Sequence, residues 1–591
     1  MFDTFTVKIS DRNYTSYEVL DHAGQSVVMD ITKYKLFNDE QFILQNNNAI
    51  IQHTNIRSGQ TIAGVLILNG NKTYGRESNG RESNGRETNG RESNGRESNG
   101  RESNEREKKT NSKLLYKCVP YDNHLPSFLI PYEIKSVGFS KNIANIYVLF
   151  HFDNWDDKHP IAKLDNVIGP VNTLEHYFDY QIYCKHLFYS IQSFNKLAQN
   201  AVKSISHEEL CSNIRHKYPS IDDRTDRRVI TIDPLNCRDI DDGVGLEIID
   251  ESNQVLSIYI ANVVVWMDVL NLWSAFTERV STIYLPNKKI QMLPTILAEG
   301  LCSLLKNEKR IAFTMDIFIQ NDDIINIEFK NAFINVSANY EYEEPALLSN
   351  KMYQHILNIV KNIAEKYEYI DSIKDSHDLI TYLMIFMNNH CAKQLVKYDT
   401  GIFRATVPNK SKICVPEDVA KNIKIFNSSS GHYVNVSNDL RHEMLELDAY
   451  IHITSPIRRK VDILNLIQLQ HKIGLITLSQ DALTYYETHL AKLDFLNEKM
   501  KAIKKVQTDC ALLHLCSENP AILEKEYIGY LFEKTVLNND MYAYNVYLPE
   551  LKLFSRIKGR ENIDDFDMRT FKLFLFSNED NIKRKIRIQM V

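Results

Sequence analysis

The chain has 591 residues, of which 43% are hydrophobic and 25% are charged, and its formal net charge is -6. One hydrophobic core rarely holds so long a chain, so we expect roughly three or four domains. The negative net charge excludes nucleic-acid binding through an overall basic field, and any such site must be a local groove. Nine cysteines without a CxxC pair indicate neither a zinc site nor a disulfide framework.

The N-terminal sequence MFDTFTVKISDRN lacks a basic region followed by an apolar one. No apolar run reaches the length of about 18 residues that a membrane-spanning helix needs. We therefore expect no secretory signal and no membrane association. Reduced, buried thiols also indicate a cytoplasmic location, which means the host cytoplasm or the virion if the chain is viral.

A pentapeptide repeat separates two strand-rich regions. Gly-Arg-Glu-Ser-Asn occurs six times from Gly75 to Asn104, with Thr88 once in place of serine. Each unit has one charge of each sign and no apolar residue, so we expect a disordered loop over residues 73–112. A tail that contacts RNA or protein is the alternative to this tolerated surface loop.

Short strand-like runs stand on both sides of the repeat, with Gly, Asn, Asp and Pro between them. They are Phe5–Ile9, Ser26–Ile31 and Ile62–Leu68 before it, and Leu114–Val119, Ser127–Ile134 and Ile146–His151 after it. Strands of this spacing suit small barrels, although the pattern does not distinguish an oligonucleotide-binding barrel from other small all-β units.

The remainder of the chain mixes strands with longer helical patterns. Residues 174–216 have apolar positions at helical spacing, and residues 526–591 return to strand-like runs. Between them, the predicted strands are Val229–Ile232 and Leu256–Val265, and the predicted helices are Gln354–Lys366, His377–Val396, Asp462–Lys472 and Leu483–Leu515.

The loop after the strand Val229–Ile232 concentrates carboxylates, with only Arg238 among them. These are Asp233, Asp239, Asp241 and Asp242. Gathered in one site they would repel each other and raise their pKa values unless a cation joined them. Ligation by oxygen alone suits Mg²⁺ or Mn²⁺, which can activate water for phosphodiester hydrolysis. A solvated acidic turn explains this loop equally well, whereas an EF-hand fits poorly because Gly243 and Val244 fall at the wrong positions.

Three blocks together resemble the RNase II/RNase R superfamily, which includes the catalytic subunit of the eukaryotic exosome. The first is the spacing Asp-x5-Asp-x-Asp-Asp after a strand. The second is RVSTIYLPNKKIQMLPTILAEGLCSLL over residues 279–305, and the third is AYIHITSPIRRKVDILNLIQL over residues 449–469. Three ordered blocks over about 250 residues make a chance similarity very improbable.

The resemblance implies an α+β fold, with an RNB-type catalytic domain flanked by OB-fold barrels. The barrels would be cold-shock-like before the catalytic domain and S1-like after it. The implied regions are a first barrel over 1–120 that contains the repeat loop, a second barrel and helical linker over 121–200, the catalytic domain over 201–520, and a reduced S1-like barrel over 521–591.

The resemblance also implies a function: hydrolysis of single-stranded RNA from its 3′ end to nucleoside 5′-monophosphates, with Mg²⁺ or Mn²⁺ as cofactor. Asp233 and Asp242 would be the principal metal ligands, and Asp239 would support the site. Asp241 matches the aspartate on which the chemistry of the family depends most, and it would position the metal or its water. We expect a monomer without a nucleotide cofactor.

Other residues implied to bind RNA are Arg458, Arg459, Arg279, Tyr284 and Tyr342. The arginine that matches Arg458 holds the scissile phosphate or the last nucleotide in the family, and both tyrosines would stack on bases. For the tyrosines, the alternative is packing in the core. For Arg459, the alternative is an ion pair with Asp462.

The chain departs from the family pattern at several positions, none of which is a predicted metal ligand. These are Thr381 or Tyr382 in place of a glutamate, Lys460 and Leu466 in place of aromatic residues or histidine, Tyr259 in place of histidine, and Asn262 in place of aspartate. We therefore expect activity. The competing hypothesis is a catalytically inactive RNA-binding or scaffold protein that retains the fold.

Overall fold

The structure is a computed structural model. It describes residues 4–46, 48–69, 72–75, 113–134, 143–203, 205–370, 372–406, 415–428, 431–537, 541–578 and 580–591. The predicted disordered loop therefore lies outside the described residues from position 76 to position 112. The chain forms two compact units, one of residues 1–187, 508–526 and 572–590 and one of residues 188–507, 527–571 and 591.

The first unit begins with a five-stranded antiparallel sheet in the order β3-β2-β1-β4-β5. Its strands are β1 (Thr4–Ile9), β2 (Tyr17–Leu20), β3 (Ser26–Val27), β4 (Gln41–Gln45) and β5 (Asn48–His53). Alternation along β1 gives the sheet a buried face, because Val7 and Ile9 are buried whereas Lys8 between them is exposed.

A closed barrel in the order β10-β8-β7-β6-β9 follows. Its strands are β6 (Ile62–Leu66), β7 (Leu114–Pro120), β8 (Phe128–Tyr132), β9 (Ile146–Asn154) and β10 (Ile161–Pro170). In the sequence, the repeat therefore lies between β6 and β7, two strands of this barrel. The sequence instead predicts it in a loop of the first predicted barrel, over residues 1–120. Apolar alternation identifies a strand but not its partner. Gly64 fits the observed partner, since a Cβ there would lie 2.8 Å from the carbonyl oxygen of Val119.

The second unit is built on another closed barrel, in the order β11-β12-β13-β16-β17. Its strands are β11 (Asp222–Asp233), β12 (Asp242–Ile248), β13 (Asn253–Ala261), β16 (Lys309–Gln320) and β17 (Asp323–Glu341). Parallel pairing of β11 with β17 closes the barrel. Two small sheets accompany it, formed by β14 (Ile283–Leu285) with β15 (Lys288–Ile290) and by β18 (Ile402–Ala405) with β19 (His432–Asn435).

Helices complete both units, with α1 (Leu174–Cys184) in the first. Those that begin in the second are α2 (Gln192–Val202), α3 (His207–Lys217), α4 (Val263–Val269), α5 (Pro345–Leu348), α6 (Lys351–Ala364), α7 (Ser376–Lys397), α8 (Glu417–Ser428), α9 (Lys460–Lys472), α10 (Gln480–Leu490) and α11 (Leu493–Glu518). None of the helices in the described parts of the chain combines the length and the apolar character that crossing a membrane requires.

Two predicted elements differ from the observed ones. The predicted strand Leu256–Val265 ends at Ala261, and its last residues belong to α4. The run of valines favours a strand locally, but the Asn262 side chain accepts a hydrogen bond from the backbone N–H of Val265 (3.3 Å) and caps a helix. The predicted helix Leu483–Leu515 is divided into α10 and α11, although neither Gly nor Pro marks the break.

The chain ends in a five-stranded sheet in the order β22-β21-β20-β23-β24. Its strands are β20 (Glu526–Val536), β21 (Tyr542–Leu548), β22 (Leu553–Gly559), β23 (Met568–Ser577) and β24 (Arg584–Met590). Barrel-like sheets thus precede and follow the central αβ region in the sequence, as predicted.

Helix α9 is buried from Lys460 to Gln470, so the polar residues on it need internal partners. Asn465 exchanges hydrogen bonds with the backbone N–H and carbonyl of Ile402, both at 2.9 Å. Lys460 donates to the carbonyl of Thr277 (2.7 Å) and lies 3.1 Å from His489 Nε2. Burial lowers the pKa of Lys460 to about 7. These contacts fix the first half of α9, which belongs to the third sequence block.

The buried amine of Lys460 makes stability depend on pH. Its pKa is about 7 in the folded chain and 10.5 normally, so between these values the unfolded chain binds more protons and this group adds stability as pH rises. We expect Lys460→Met to lose free energy of unfolding relative to wild type by ~1 kcal/mol per pH unit across this window. Denaturant unfolding at several pH values measures it. Lys472→Met, which removes an exposed lysine at the end of α9, should change the free energy of unfolding by an amount that does not depend on pH. A pH-independent change for Lys460→Met would contradict the prediction.

Candidate active site

A cavity of about 980 Å³ lies in the second unit. The predicted residues that line it are Asp233, Asp239, Asp241, Asp242, Tyr284, Tyr342, Arg458 and Arg459. The remaining wall comes largely from helices α7 and α11. Residues from all three sequence blocks therefore meet around one space.

The barrel brings the acidic residues together. Asp233 is the last residue of β11 and Asp242 is the first residue of the neighbouring strand β12. Ser303 holds the loop between them, since its hydroxyl donates to the carbonyl of Arg238 (2.8 Å) and accepts from the N–H of Ile240 (3.0 Å). The Cys-Ser-Leu element of the second block thus supports the acidic loop through its serine.

Asp241 connects the acidic loop to the third block. The backbone N–H of Ile457 donates to its Oδ1 at 2.8 Å, and Arg458 Nε lies 3.1 Å from its Oδ2. The second contact is an ion pair without hydrogen-bond geometry, because Asp241 Oδ2 has no hydrogen-bond partner. Only 3% of Asp241 is exposed, so this carboxylate depends on these two contacts.

Burial gives the acidic loop unusual electrostatics. It raises the pKa of Asp241 to about 8 and the pKa values of Asp233 and Asp242 to about 7. Repulsion between the carboxylates adds to this effect, whereas Arg458 opposes it at all three residues. The crowding expected from the sequence is therefore present, and the positive charge nearby does not balance it.

Asp239 has a partner that the sequence did not reveal. Lys289 Nζ lies 2.9 Å from Asp239 Oδ1 and 3.2 Å from Glu299 Oε1. Lys289 is on β15, directly opposite Tyr284 on β14. The hairpin around Tyr-Leu-Pro could have signalled this, since it places a lysine beside a residue already predicted in the site.

The three arginines have different surroundings. Arg458 donates to Ser455 Oγ (3.0 Å), and its side chain is 48% exposed, so it is accessible from the cavity. Arg459 also lines the cavity, but it is bound to buried Asp462 at 2.9 Å, as its alternative role requires. Arg279 is not among the lining residues, because its guanidinium donates to the carbonyls of Tyr189 and Gln291.

Both tyrosines face the cavity. Tyr284 is 44% exposed, which excludes packing in the core, and its backbone N–H donates to Gln507 Oε1 (2.9 Å). The ring centroids of Tyr342 and His377 lie 5.1 Å apart. His377 was missed by the sequence analysis, and a lone histidine at the start of a helix gives no signal for it.

The residues that depart from the family pattern lie either at the cavity wall or in the protein interior. Thr381 lines the cavity, whereas Tyr382 is buried with its hydroxyl on the carbonyl of Tyr367 (2.9 Å). Lys460 and Leu466 are fully buried in α9. Asn262 is also buried and donates to Asn331 Oδ1 (2.8 Å). Of these positions only that of Thr381 lines the cavity.

The donor set fits a hard divalent cation, although its arrangement is incomplete. Asp233 Oδ2 and Asp241 Oδ2 are buried oxygens without a hydrogen-bond partner, and carboxylate oxygens are the ligands that Mg²⁺ and Mn²⁺ prefer. However, in the described parts of the chain no three His, Cys, Asp or Glu side chains are grouped closely enough to hold a metal ion.

Residues 221–355 match the family model described as RNB domain. This part of the chain resembles the RNB domain family. The match contains the acidic loop, the β14–β15 hairpin and Tyr342, and it ends before the block that contains Arg458. The predicted resemblance to the RNase II/RNase R superfamily is confirmed.

Curated proteins similar to this chain agree with the match. Ribonuclease R of Chlamydia pneumoniae is 24% identical over 375 residues, which are 51% of this chain and 54% of that protein. The chain thus spans about half the length of this curated relative.

Two solved structures have a similar fold. RNase R of Mycoplasma genitalium, in complex with ribose methylated single-stranded RNA, has a TM-score of 0.63 at 15% identity, over 99% of this chain and 100% of that chain. Yeast Ssd1, described as a pseudonuclease, has a TM-score of 0.55 at 12% identity, over 94% of this chain and 78% of that chain. At these identities the likeness concerns the fold alone, and it confirms the predicted α+β class, an RNB domain flanked by OB folds.

Crowded carboxylates should destabilise the chain when no metal is added. The pKa of Asp242 is about 7 in the folded chain against 3.8 normally, so its burial lowers stability as pH rises through this window. In EDTA at pH 8 we expect Asp242→Asn to raise the free energy of unfolding by ~1–2 kcal/mol, with a smaller gain near pH 4.5. Thermal melting measures it, with exposed Asp226→Asn on β11 as control. A destabilised Asp242→Asn variant at pH 8 would be the contrary result.

Proposed function

We propose that the chain is a metal-dependent exoribonuclease that removes nucleotides from the 3′ end of single-stranded RNA and releases nucleoside 5′-monophosphates. The observation that carries this proposal is the meeting of the acidic loop, Arg458 and two tyrosines in one cavity of a chain with an RNB domain. The name of the Chlamydia pneumoniae relative, Ribonuclease R, supports it.

Arg458 is suited to hold the scissile phosphate. Its Nε faces Asp241 and one terminal nitrogen donates to Ser455, which leaves donors of its planar guanidinium for a phosphate. The ion pair with Asp241 fixes the direction of the guanidinium before RNA arrives. Positive charge fixed in advance beside the phosphate stabilises the negative charge that develops during hydrolysis.

Asp233, Asp241 and Asp242 would hold a divalent ion, Mg²⁺ or Mn²⁺. Such an ion, when bound, lowers the pKa of a water molecule and neutralises charge on the phosphate. The chain itself orients this part of the site: the Ile457 N–H holds Asp241, and Ser303 holds the loop that precedes it. The unpartnered Oδ2 of Asp241 is therefore kept in place by contacts that leave this oxygen available.

Tyr284 and Tyr342 would stack on the last bases of the RNA. Stacking contributes roughly 1–3 kcal/mol per base and accepts any base, which suits a nuclease without sequence preference. Neither base edges nor a defined sequence would need to be recognised. The preference for single-stranded RNA would then arise from stacking on unpaired bases.

A catalytically inactive RNA-binding protein is the second candidate function. Two observations favour it: the fold is shared with the pseudonuclease Ssd1, and the described carboxylates are not grouped as a metal site. In this case the cavity would bind the RNA end without cleaving it.

RNA digestion distinguishes the two functions. With Mg²⁺ and 5′-labelled single-stranded RNA, we expect wild-type protein to give a ladder that shortens from the 3′ end, and EDTA to prevent it. Asp241→Asn should lower the rate on the order of 100-fold or more and still shift RNA in a gel. Asp226→Asn, outside the cavity, should digest RNA like wild type. Intact RNA in all lanes with a retained gel shift would sink the nuclease proposal and favour the inactive candidate.

The two neighbouring arginines allow a matched comparison. Arg458→Lys keeps a charge beside Asp241 but loses the fork that grips phosphate, so we expect the digestion rate to fall roughly 10- to 100-fold with little change in melting temperature. Arg459→Lys makes the same change at a guanidinium that forms an ion pair with Asp462. The digestion rate of this variant should stay within about threefold of wild type. Equal losses for both variants would refute the role given to Arg458.

A further inference from the structure

The start of α7 is tied to the segment that carries Tyr342. The backbone N–H of Glu343 donates to Ser376 Oγ (3.1 Å), and the backbone N–H of Ser376 donates to Glu343 Oε1 (2.7 Å). Ser376 is fully buried, so water does not compete for its hydroxyl. Because each residue both donates to and accepts from the other, α7 and the residues after β17 cannot shift apart without losing two hydrogen bonds.

The backbone of Tyr342 is held on its other side as well. Its N–H donates to the carbonyl of Asp233 (3.2 Å), where the acidic loop begins. Glu343, directly after Tyr342, has a φ of +57°, in the left-handed region that favours glycine. A residue with a side chain keeps such a conformation where its surroundings hold it, as the contacts with Ser376 do here. Tyr342 therefore enters the cavity from a backbone of fixed direction.

His377 packs against the side chain of Tyr342. It follows Ser376 on α7 and lines the cavity, and its ring plane is inclined by 49° to that of Tyr342 at a centroid distance of 5.1 Å. Aromatic rings at this separation attract each other. Among the described residues the imidazole of His377 has no hydrogen-bond partner, so the Tyr342 ring is its one directional contact there.

We propose that His377 is a positioning residue, which packs against the Tyr342 ring and holds it ready to stack on the 3′-terminal base. This inference rests on the proposed function, in which Tyr342 binds a base. A side chain that is fixed before RNA arrives loses less conformational entropy on binding, so the same stacking contact gives tighter binding. Without His377, ordering of the tyrosine ring would offset part of the stacking free energy.

A positioning role and direct RNA binding by His377 predict different results for a double variant. If His377 acts through Tyr342, its replacement has no further effect once Tyr342 is replaced by alanine. If His377 touches RNA by itself, the two losses add. The double variant therefore separates the two roles.

Fluorescence of single-stranded RNA with 2-aminopurine as its 3′-terminal base tests the inference. The full chain with Asp241→Asn is the parent, so that RNA stays intact in Mg²⁺, and it should quench the probe. Adding His377→Ala should remove about half of the quenching or more and raise the Kd roughly 3- to 10-fold, less than Tyr342→Ala does. His377→Phe, which keeps a ring, should restore both. His355→Ala, on α6 and outside the cavity, should match the parent.

Three results would overturn the inference. The first is unchanged quenching with His377→Ala, or no restoration by His377→Phe. The second is an added loss in the double variant with Tyr342→Ala, since His377 would then bind RNA by itself. The third is a parent that does not quench the probe, because Tyr342 would then not stack on the terminal base. RNA digestion by the wild type decides separately whether the chain is a nuclease, and circular dichroism shows that each variant is folded.

Discussion

The contact of Asp241 with Ile457 and Arg458 joins two parts of the chain that are 216 residues apart in sequence. On one side is the loop between β11 and β12, which the barrel presents at one end. On the other is the turn that leads into the buried helix α9. Because Asp241 is almost fully buried, the two sides cannot separate without exposing or orphaning its charge. The site, the barrel and α9 therefore have to form together.

This constraint works against stability. Burial raises the pKa values of three neighbouring carboxylates, and two of their oxygens lack hydrogen-bond partners. A chain selected for stability alone would replace such groups, since buried charges without full compensation are costly. The divalent ion that we propose would supply the positive charge that these carboxylates lack.

The site could be predicted from sequence to the extent that its residues stand in compact blocks. The acidic residues, Tyr284 and Arg458 were identified because spacing within a block survives folding. Lys289 escaped notice because its partner Asp239 lies 50 residues away, and a lysine near a turn is ordinarily solvated. Arg279, in contrast, was predicted to bind RNA because it stands in the second sequence block. The sequence could not show that its guanidinium donates to backbone carbonyls instead. For the fold, strand positions were readable, whereas the barrel to which β6 belongs depends on pairing that no local pattern encodes.

The most direct test of the central claim is a crystal structure of the Asp241→Asn variant with a short single-stranded RNA and Mg²⁺. The account predicts the 3′-terminal nucleotides in the cavity, a phosphate within hydrogen-bond distance of Arg458, and bases against Tyr284 or Tyr342. An RNA bound elsewhere on the chain, with its 3′ end outside the cavity, would contradict it.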